Sequence, residues 1–218
     1  MTTALVIGAT GLVGKSLVKL LLAGEEFEQV KIFTRRDAGI KHDRLIQHIV
    51  DFDDPESWDE LVKGDVLFST LGTTRKKAEG KKAQYLVDHT YQYRFAAAAA
   101  GNSVGTMVLV SSAGASIKSP FFYSRMKAEL ERDVKVMGFD PLVIIRPGPL
   151  DGLREENRTG EKIGIAVTRF LAGLGIMRKY RPIHADIVAQ AMINATKKSL
   201  KGTAVFELQE VFDLADPV

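Results

Sequence analysis

Tyr123 and Lys127 lie four residues apart in a segment with helical periodicity, so their side chains project from one face of the predicted helix. A phenol normally holds its proton up to a pH of about 10, which makes it a poor partner for proton exchange near neutral pH. A lysine ammonium beside the phenol favours the phenolate and eases that exchange. Ser111 and Ser112 precede the pair, and a serine hydroxyl can orient a carbonyl oxygen. We therefore predict carbonyl chemistry with Tyr123, Lys127 and Ser112 as catalytic residues.

A glycine-rich segment provides the second chemical signal, because Gly-Ala-Thr-Gly-Leu-Val-Gly follows the apolar run Ala4–Ile7 directly. Glycines permit a tight turn, close approach of a pyrophosphate to the backbone and close packing of a helix on a strand. The start of the next helix then offers free N–H groups and partial positive charge to phosphates. The G-x-x-G-x-x-G spacing differs from the standard G-x-G-x-x-G, but its place between a strand and a helix fits dinucleotide binding. The predicted contacts are Gly8, Ala9, Thr10, Gly11, Leu12, Val13 and Gly14.

The end of the second predicted strand carries Arg35 and Arg36, where a dinucleotide site meets the adenosine ribose. An acidic residue there would bind the 2′-hydroxyl of NAD, whereas two guanidinium forks suit a 2′-phosphate. The residues therefore favour NADPH (NADP) over NADH, and the alternative is a solvated basic loop. Asp51 and Phe52 follow the third predicted strand and are expected near the adenine, unless they are plain turn residues.

The scaffold is predicted from alternating apolar runs and helical patterns. The runs indicate buried strands of a parallel sheet, and they are Ala4–Ile7, Val30–Phe33, Gln47–Val50, Val66–Ser69, Met107–Val110 and Leu142–Ile145. The helical patterns between them are Leu12–Ala23, Pro55–Val62, Lys82–Ala100 and Ser124–Met137. Strands that alternate with helices imply right-handed βαβ crossovers, and hence an α/β protein with a doubly wound, mostly parallel sheet.

The C-terminal part is less regular. We expect a loop over Asp151–Lys162, helices over Ile163–Gly175 and Asp186–Thr196, and a short strand over Ala204–Leu208. No linker rich in Pro, Gly or Ser divides the chain, so we predict a single domain over residues 1–218. Residues 149–218 are expected to contribute a small cap over the substrate and cofactor.

Composition excludes several classes of protein. The 218 residues include no cysteine, which rules out a disulfide scaffold, a Cys-ligated metal site and a thiolate nucleophile. The four histidines lack metal-ligand spacing, so no metal is expected. No basic leader and no apolar run of roughly 20 residues is present, which predicts a cytoplasmic protein without a membrane span. The sequence leaves the oligomeric state open, with a homodimer among the options.

These motifs together resemble the short-chain dehydrogenase/reductase superfamily, over nearly the whole chain. The short length, the glycine turn and the Tyr123/Lys127 pair are similar to its atypical branch. Further segments resemble the Tat-interacting, metastasis-suppressor-type NADPH oxidoreductases and their fungal and bacterial relatives. These segments are Arg35-Arg36, Leu71-Gly72-Thr73-Thr74-Arg75, Ser111-Ser112-Ala113-Gly114-Ala115 and Arg146-Pro147-Gly148.

The resemblance implies a Rossmann-type fold and an NADPH-dependent oxidoreductase acting on a carbonyl-type small molecule. It implies that Lys127 binds the nicotinamide ribose beside Tyr123, and that the glycine turn and the arginine pair hold the pyrophosphate and the 2′-phosphate. Leu71 and Gly72 would line the adenosine side of the crevice. The segment after Arg146, with Pro147, Leu150 and Arg158, would close over the cofactor; a plain loop arginine is the alternative for Arg158.

Two departures from the family pattern leave alternatives open. Ser112 precedes Tyr123 by only eleven residues, slightly tighter than the classical arrangement, so Ser111 is the alternative orienting hydroxyl. The Asn-Ala-Gly segment of classical members is replaced by Leu-Gly-Thr-Thr at residues 71–74, which puts the classical relay through an asparagine in doubt. Only about 70 residues follow Gly148, which counts against the large substrate domain of a sugar-nucleotide epimerase.

Other functions remain alternatives at this point. The fold alone does not establish catalysis, so an NADPH-binding regulatory or protein-interaction module is the second hypothesis. The basic run from Arg75 to Lys82 could attract an anionic substrate or nucleic acid, but no aromatic residues are interleaved to stack on bases. We interpret it as a solvated loop, and nucleic acid as an improbable partner. Phe121 and Phe122 either line an apolar pocket or pack in the core.

Overall fold

The computed structural model describes residues 2–151 and 180–216. Within these ranges the strands are β1 (Thr3–Ile7), β2 (Gln29–Thr34), β3 (Leu45–Ile49), β4 (Val66–Ser69), β5 (Thr106–Val110), β6 (Leu142–Arg146), β7 (Leu150–Asp151), β8 (Ile183–His184) and β9 (Thr203–Glu207). The α-helices are α1 (Leu12–Ala23), α2 (Lys81–Tyr85), α3 (Tyr91–Gly101), α4 (Phe122–Lys135), α5 (Ala185–Lys197) and α6 (Gln209–Ala215).

Seven parallel strands form the central sheet in the order β3-β2-β1-β4-β5-β6-β9. The chain winds outward from β1 in one direction to β3, and then crosses to β4 and winds in the other direction. Strand order therefore reverses between β1 and β4, and ligands of such sheets bind beyond the carboxyl ends of the strands at this point. The short strands β7 and β8 pair separately.

Helices cover both faces of the sheet, each over its own apolar core. On one face α1, α5 and α6 pack through residues such as Leu17, Met192 and Val211. On the other face α3 and α4 bury Phe95 and Leu130 against the strands. This arrangement confirms the predicted α/β, doubly wound Rossmann-type fold.

All six predicted strands are present, but the third differs from its prediction. Gln47–Val50 was expected to be buried, whereas β3 spans Leu45–Ile49 and is half exposed. The reason is its position, because β3 is an edge strand that pairs only with β2. Val50 is buried just beyond the strand.

Two predicted helices are irregular. Instead of an α-helix over Pro55–Val62, two 3₁₀ turns span Pro55–Ser57 and Asp59–Leu61. They meet at Trp58, whose buried indole donates a hydrogen bond to the Asp51 carbonyl (2.8 Å) and whose φ of −139° is not helical. The predicted helix over Lys82–Ala100 is interrupted by a π-helical turn, Leu86–Thr90, between α2 and α3.

The C-terminal residues that the structure describes add one strand to the main sheet and two helices to one of its faces. β9 pairs with β6 at the sheet edge, and α5 packs against α1. These elements correspond to the strand predicted over Ala204–Leu208 and the helix predicted over Asp186–Thr196. The helix predicted over Ile163–Gly175 lies outside the described residues, and the predicted domain boundaries stay a prediction.

Candidate active site

The glycine turn joins β1 to α1 at the point where the strand order reverses. Gly8 has a φ of +82°, a backbone conformation that residues with a side chain rarely adopt, and the Gly11 N–H donates to its carbonyl oxygen (2.9 Å). A Cβ on Gly8 would lie 2.5 Å from the backbone nitrogen of Leu71. The turn after β4 therefore packs directly on the glycine turn, and glycine is required for this close approach.

The N-terminus of α1 has the chemistry that a pyrophosphate needs. Gly11 caps the helix, no side chain accepts a hydrogen bond there, and the first turn carries no acidic residue. Gly11 and Thr10 are exposed, whereas Ala9, Val13 and Gly14 are buried beneath them. The free N–H groups and the positive end of the helix are thus left for an anion, and the segment fits the phosphates of a dinucleotide.

Gly14→Ala is expected to disrupt this turn. The added Cβ would lie 2.0 Å from the carbonyl oxygen of Gly8, a backbone atom that cannot move without opening the turn. We expect a loss of roughly 1–3 kcal/mol in the free energy of unfolding, as for other overpacked sites, together with weaker NADPH binding. Denaturant unfolding and a fluorescence titration with NADPH measure the two effects. Gly101→Ala is the matched control, because nothing lies within 4 Å of its added Cβ; equal stability of the two variants would contradict the prediction.

The residues predicted to meet the adenosine follow β2 and β3. Arg35 and Arg36 are both exposed directly after β2, and Asp51 is exposed after β3. Phe52 differs, because its side chain is buried against Trp58 and other aromatic rings of the core. Its aromatic ring is therefore part of the core, which leaves only its backbone to face an adenine.

Tyr123 and Lys127 lie on successive turns of α4. The Lys127 ammonium is 5.9 Å from the centroid of the Tyr123 ring, so it lies over the ring face. The tyrosine is 42% exposed, whereas the lysine side chain is only 4% exposed. A reactant can thus reach the phenol while its lysine neighbour stays largely shielded from water.

Asp88 is a site residue that sequence reasoning missed. It lies in the π-helical turn between α2 and α3, its side chain is 2% exposed, and its carboxylate is 3.7 Å from the Lys127 ammonium. The same carboxylate accepts a hydrogen bond from the Thr73 N–H (2.8 Å). Burial raises the pKa of Asp88, although Lys127 and Thr73 oppose that rise by stabilising the charged form. One buried carboxylate therefore holds both the lysine and the loop after β4.

The signal for Asp88 was present in the helical pattern. Several of the buried residues on this segment are spaced at helical intervals, among them Asp88, Gln92, Phe95, Ala96 and Ala99. A carboxylate on a buried helix face needs a partner, because a buried unpaired charge is costly. The identity of the partner required the folded chain.

Ser111 and Ser112 have different environments after β5. Ser111 is buried, and its hydroxyl donates to Glu131 (2.5 Å), which also forms a two-point ion pair with Arg146 (2.9 and 2.6 Å). Ser112 is only partly buried, and within the described residues its hydroxyl makes only a long hydrogen bond of 3.4 Å to the Ala113 carbonyl. Of the two hydroxyls, that of Ser112 is therefore the more accessible.

A pocket of about 480 Å³ opens beside Tyr123. This volume lies in the range of small-molecule sites. The pocket lies between the loop after β4, the start of α2 and the start of α4. Its lining residues are Thr73, Thr74, Arg75, Lys81, Gln84, Phe121, Phe122 and Tyr123. Both phenylalanines thus line a pocket, which decides between the two interpretations left open for them.

The remaining predicted contacts lie on neighbouring loops. Leu71 and Gly72 follow β4, and the Cβ position of Gly72 is 3.3 Å from the Asp88 carboxylate. Pro147 is buried after β6 and accepts a hydrogen bond from the Ala113 N–H (3.0 Å). Leu150 packs against the core from β7. Arg158 lies outside the described residues.

The class of protein follows from a family model and from a shared fold. A family model described as NAD(P)H-binding matches residues 8–198, which include the glycine turn and α4. The fold is shared with a dTDP-glucose 4,6-dehydratase, DesIV of Streptomyces venezuelae, at a TM-score of 0.72 and 16% sequence identity, over 98% of this chain and 80% of the dehydratase chain. The chain belongs to this NAD(P)H-binding family.

Two fungal relatives are more similar in sequence. The chain is 34% identical over 203 residues to the mitochondrial protein FMP52 of Candida albicans, which covers 90% of this chain and 89% of the relative. It is 36% identical over 216 residues to the mitochondrial protein fmp52-1 of Aspergillus terreus, over 93% and 90% of the two chains. The broad resemblance to NAD(P)-binding, short-chain-reductase-like proteins is confirmed, but these relatives are named FMP52 and not Tat-interacting oxidoreductases.

The comparisons also correct the prediction of location. The sequence was expected to be cytoplasmic, because no basic leader was visible, and this prediction is wrong: the similar proteins are named as mitochondrial. The prediction rested on the absence of a recognisable leader and of a long apolar run, and the names of the relatives are evidence of a different kind.

Residues 2–151 and 180–216 contain neither a candidate metal site nor a candidate membrane span. In those ranges no three His, Asp or Glu side chains are placed to hold a metal ion together. None of the helices described is both long and apolar enough to span a bilayer.

Proposed function

We propose that the protein is an NADPH-dependent oxidoreductase that reduces a carbonyl-type small molecule. The observation that carries this proposal is the Asp88–Lys127–Tyr123 arrangement, in which a shielded lysine lies over an accessible phenol at the wall of a pocket. An exposed phenol alone would be unremarkable. A phenol with a buried cationic neighbour beside a pocket of substrate size is what proton transfer to a bound carbonyl requires.

The proposal assigns each part of the cofactor to residues of the site. We assign the pyrophosphate to the glycine turn, the 2′-phosphate to Arg35 and Arg36, and the nicotinamide ribose to Lys127. The cradle at Gly8 and Gly11 supports this assignment, because its N–H groups carry no side-chain cap. When bound, the reduced nicotinamide supplies a hydride, with two electrons, to the carbonyl carbon.

The chain's own residues complete the reduction. Ser112 donates a hydrogen bond to the carbonyl oxygen and orients it toward the phenol. Tyr123 gives its proton to that oxygen as the alcohol forms, and the phenolate regains a proton from solvent. Lys127 stabilises the transient phenolate by its charge, and Asp88 keeps the lysine in place. Ser111 holds the loop through Glu131 and takes no part in the proton transfer.

A turnover assay tests the proposal directly. Oxidation of NADPH is followed at 340 nm in the presence of a panel of aldehydes, ketones and quinones, and the alcohol product is identified by chromatography. Reduction of a carbonyl compound is the expected result. Tight NADPH binding with no compound reduced would contradict it, and would favour an NADPH-binding regulatory or protein-interaction module instead.

Selectivity for NADPH over NADH is a separate expectation. Arg35→Gln and Arg36→Gln are each expected to weaken NADPH binding about tenfold and to leave NADH binding unchanged, because NADH lacks the 2′-phosphate. Titration of the wild type and variants with both nucleotides measures the effect. Lys41→Gln is the control, since it removes a charge from the same exposed loop without touching the arginine pair. Equal affinity of the wild type for the two nucleotides would overturn the assignment of both arginines.

A further inference from the structure

The pocket beside Tyr123 has an uneven distribution of charge. Arg75 and Lys81 both line it, and no Asp or Glu is among the lining residues that the structure describes. Neither cation forms an ion pair with a carboxylate within the part of the chain that the structure describes, whereas Lys127, Arg132 and Arg146 there are all paired. Two cations are thus presented to the pocket, and no carboxylate of residues 2–151 or 180–216 pairs with them.

The second feature of the pocket is its aromatic wall. Phe121 is 73% exposed and Phe122 is half-buried, and both line the cavity with the ring of Tyr123. The Lys81 ammonium lies 5.6 Å from the centroid of the Phe122 ring, which keeps the charge at the cavity wall by cation–π attraction. Exposed aromatic area such as that of Phe121 is unfavourable in water, and together with a nearby cation it suits a molecule with an apolar body and an anionic group.

We propose that this pocket binds carbonyl substrates that carry an anionic group, a carboxylate or a phosphate, on an apolar or aromatic body. The statement that these molecules are substrates rests on the proposed function, but the preference of the pocket for anions can be measured without turnover. Arg75 supplies a planar donor fork for two oxygens of the anion, and Lys81 supplies a point charge. Phe121 and Phe122 pack against the body, and Tyr123, in the same wall, meets the carbonyl. Arg75 and Lys81 therefore belong to the proposed site, although the sequence predicted only a solvated loop there.

Binding is measured first, on the full chain saturated with NADPH, which cannot react with an alcohol because both are already reduced. Calorimetric titrations compare 4-(hydroxymethyl)benzoate, an anionic alcohol, with its neutral methyl ester. A third probe, 4-(hydroxymethyl)phenyl phosphate, distinguishes a carboxylate site from a phosphate site. We expect each anion to bind about tenfold more tightly than the ester at low ionic strength, and the tighter of the two anions identifies the group. Equal binding of anions and ester, or no binding of any of them, would overturn the inference.

Variants then locate the charges responsible. Arg75→Gln and Lys81→Gln are expected to reduce the preference for the anion several-fold and to leave binding of the methyl ester nearly unchanged. Lys82→Gln is the matched control, because Lys82 is exposed on α2 next to Lys81 but does not line the pocket. An equal loss in Lys82→Gln would show a diffuse charge effect and overturn the inference. So would weaker NADPH binding in Arg75→Gln with the anion preference intact, since Arg75 would then serve the cofactor.

Kinetics separate this inference from the proposed function. The matched aldehydes, 4-carboxybenzaldehyde and methyl 4-formylbenzoate, are compared by kcat/KM in the wild type and the same variants. Turnover that favours the carboxylate supports both conclusions. Turnover without that preference overturns the inference and leaves the proposed function standing. Selective binding of the anionic alcohol without reduction of either aldehyde supports the anion site and contradicts the reductase function.

Discussion

Replacing Tyr123 with phenylalanine is expected to lower kcat by about 10²- to 10⁴-fold while the affinity for NADPH stays nearly unchanged. The substitution removes only the hydroxyl, so the ring remains under the Lys127 ammonium and along the pocket wall. Without the phenol no group at that position can give a proton to the developing alkoxide. The proposed sites for the pyrophosphate and the 2′-phosphate lie elsewhere, at the glycine turn and after β2. Steady-state kinetics and a fluorescence titration with NADPH measure the two quantities.

Tyr93→Phe is the matched control for that variant. Tyr93 is 40% exposed, close to the 42% of Tyr123, but it lies on α3 and does not line the pocket. The same loss of a hydroxyl is therefore expected to leave kcat within a factor of two. If Tyr123→Phe keeps the wild-type turnover, Tyr123 is not the proton donor and the proposed mechanism is wrong. If it loses NADPH binding as well, its role is in the binding site rather than in proton transfer.

The fold was predictable from sequence because its strands are buried and short. Apolar runs such as Ala4–Ile7 and Leu142–Ile145 have no polar face, which is the pattern of strands covered by helices on both sides. Leu12–Ala23 was predicted with the bounds it has in the structure, since glycines precede and follow it. The edge strand β3 was the exception. Burial there depends on the number of neighbouring strands, which a local pattern does not contain.

The site was predictable only where one motif carries its own chemistry. The glycine turn can be recognised from its spacing, and its place between a strand and a helix, because the backbone itself makes the close contacts. Asp88 could not be paired with Lys127 from sequence, because the two lie 39 residues apart and meet only when α3 packs beside α4. Arg75 and Lys81 were predicted to lie in a solvated loop for the same reason. The aromatic side chains that line the pocket with them come from the start of α4, which is distant in sequence.

Asp88→Asn is expected to lower the free energy of unfolding by about 3–5 kcal/mol, because it leaves the Lys127 ammonium buried without a counter-charge. Both side chains are almost fully buried, so water cannot replace the missing partner. The amide can still accept the hydrogen bond from the Thr73 N–H, so the loss reports on the charge and not on the loop. Asp54→Asn, at an exposed position, is the control and should change stability by no more than about 0.5 kcal/mol. A loss of stability in Asp88→Asn no greater than in the control would show that the ion pair does not hold this part of the fold.

The double variant Asp88→Asn/Lys127→Met measures how strongly the two side chains depend on each other for stability. Removing both charges should restore much of the stability lost in each single variant, since two compatible neutral groups avoid the cost of an unpaired buried ion.

The single variant Lys127→Met tests the same pair through the pH dependence of stability, because it leaves the Asp88 carboxyl buried without its cationic partner. Burial raises the pKa of Asp88 in the folded chain above its unfolded value, so the folded state binds the proton more readily. The stability of Lys127→Met should therefore rise as the pH is lowered from 7 through that raised pKa, and denaturant unfolding at several pH values should find no such rise in the double variant.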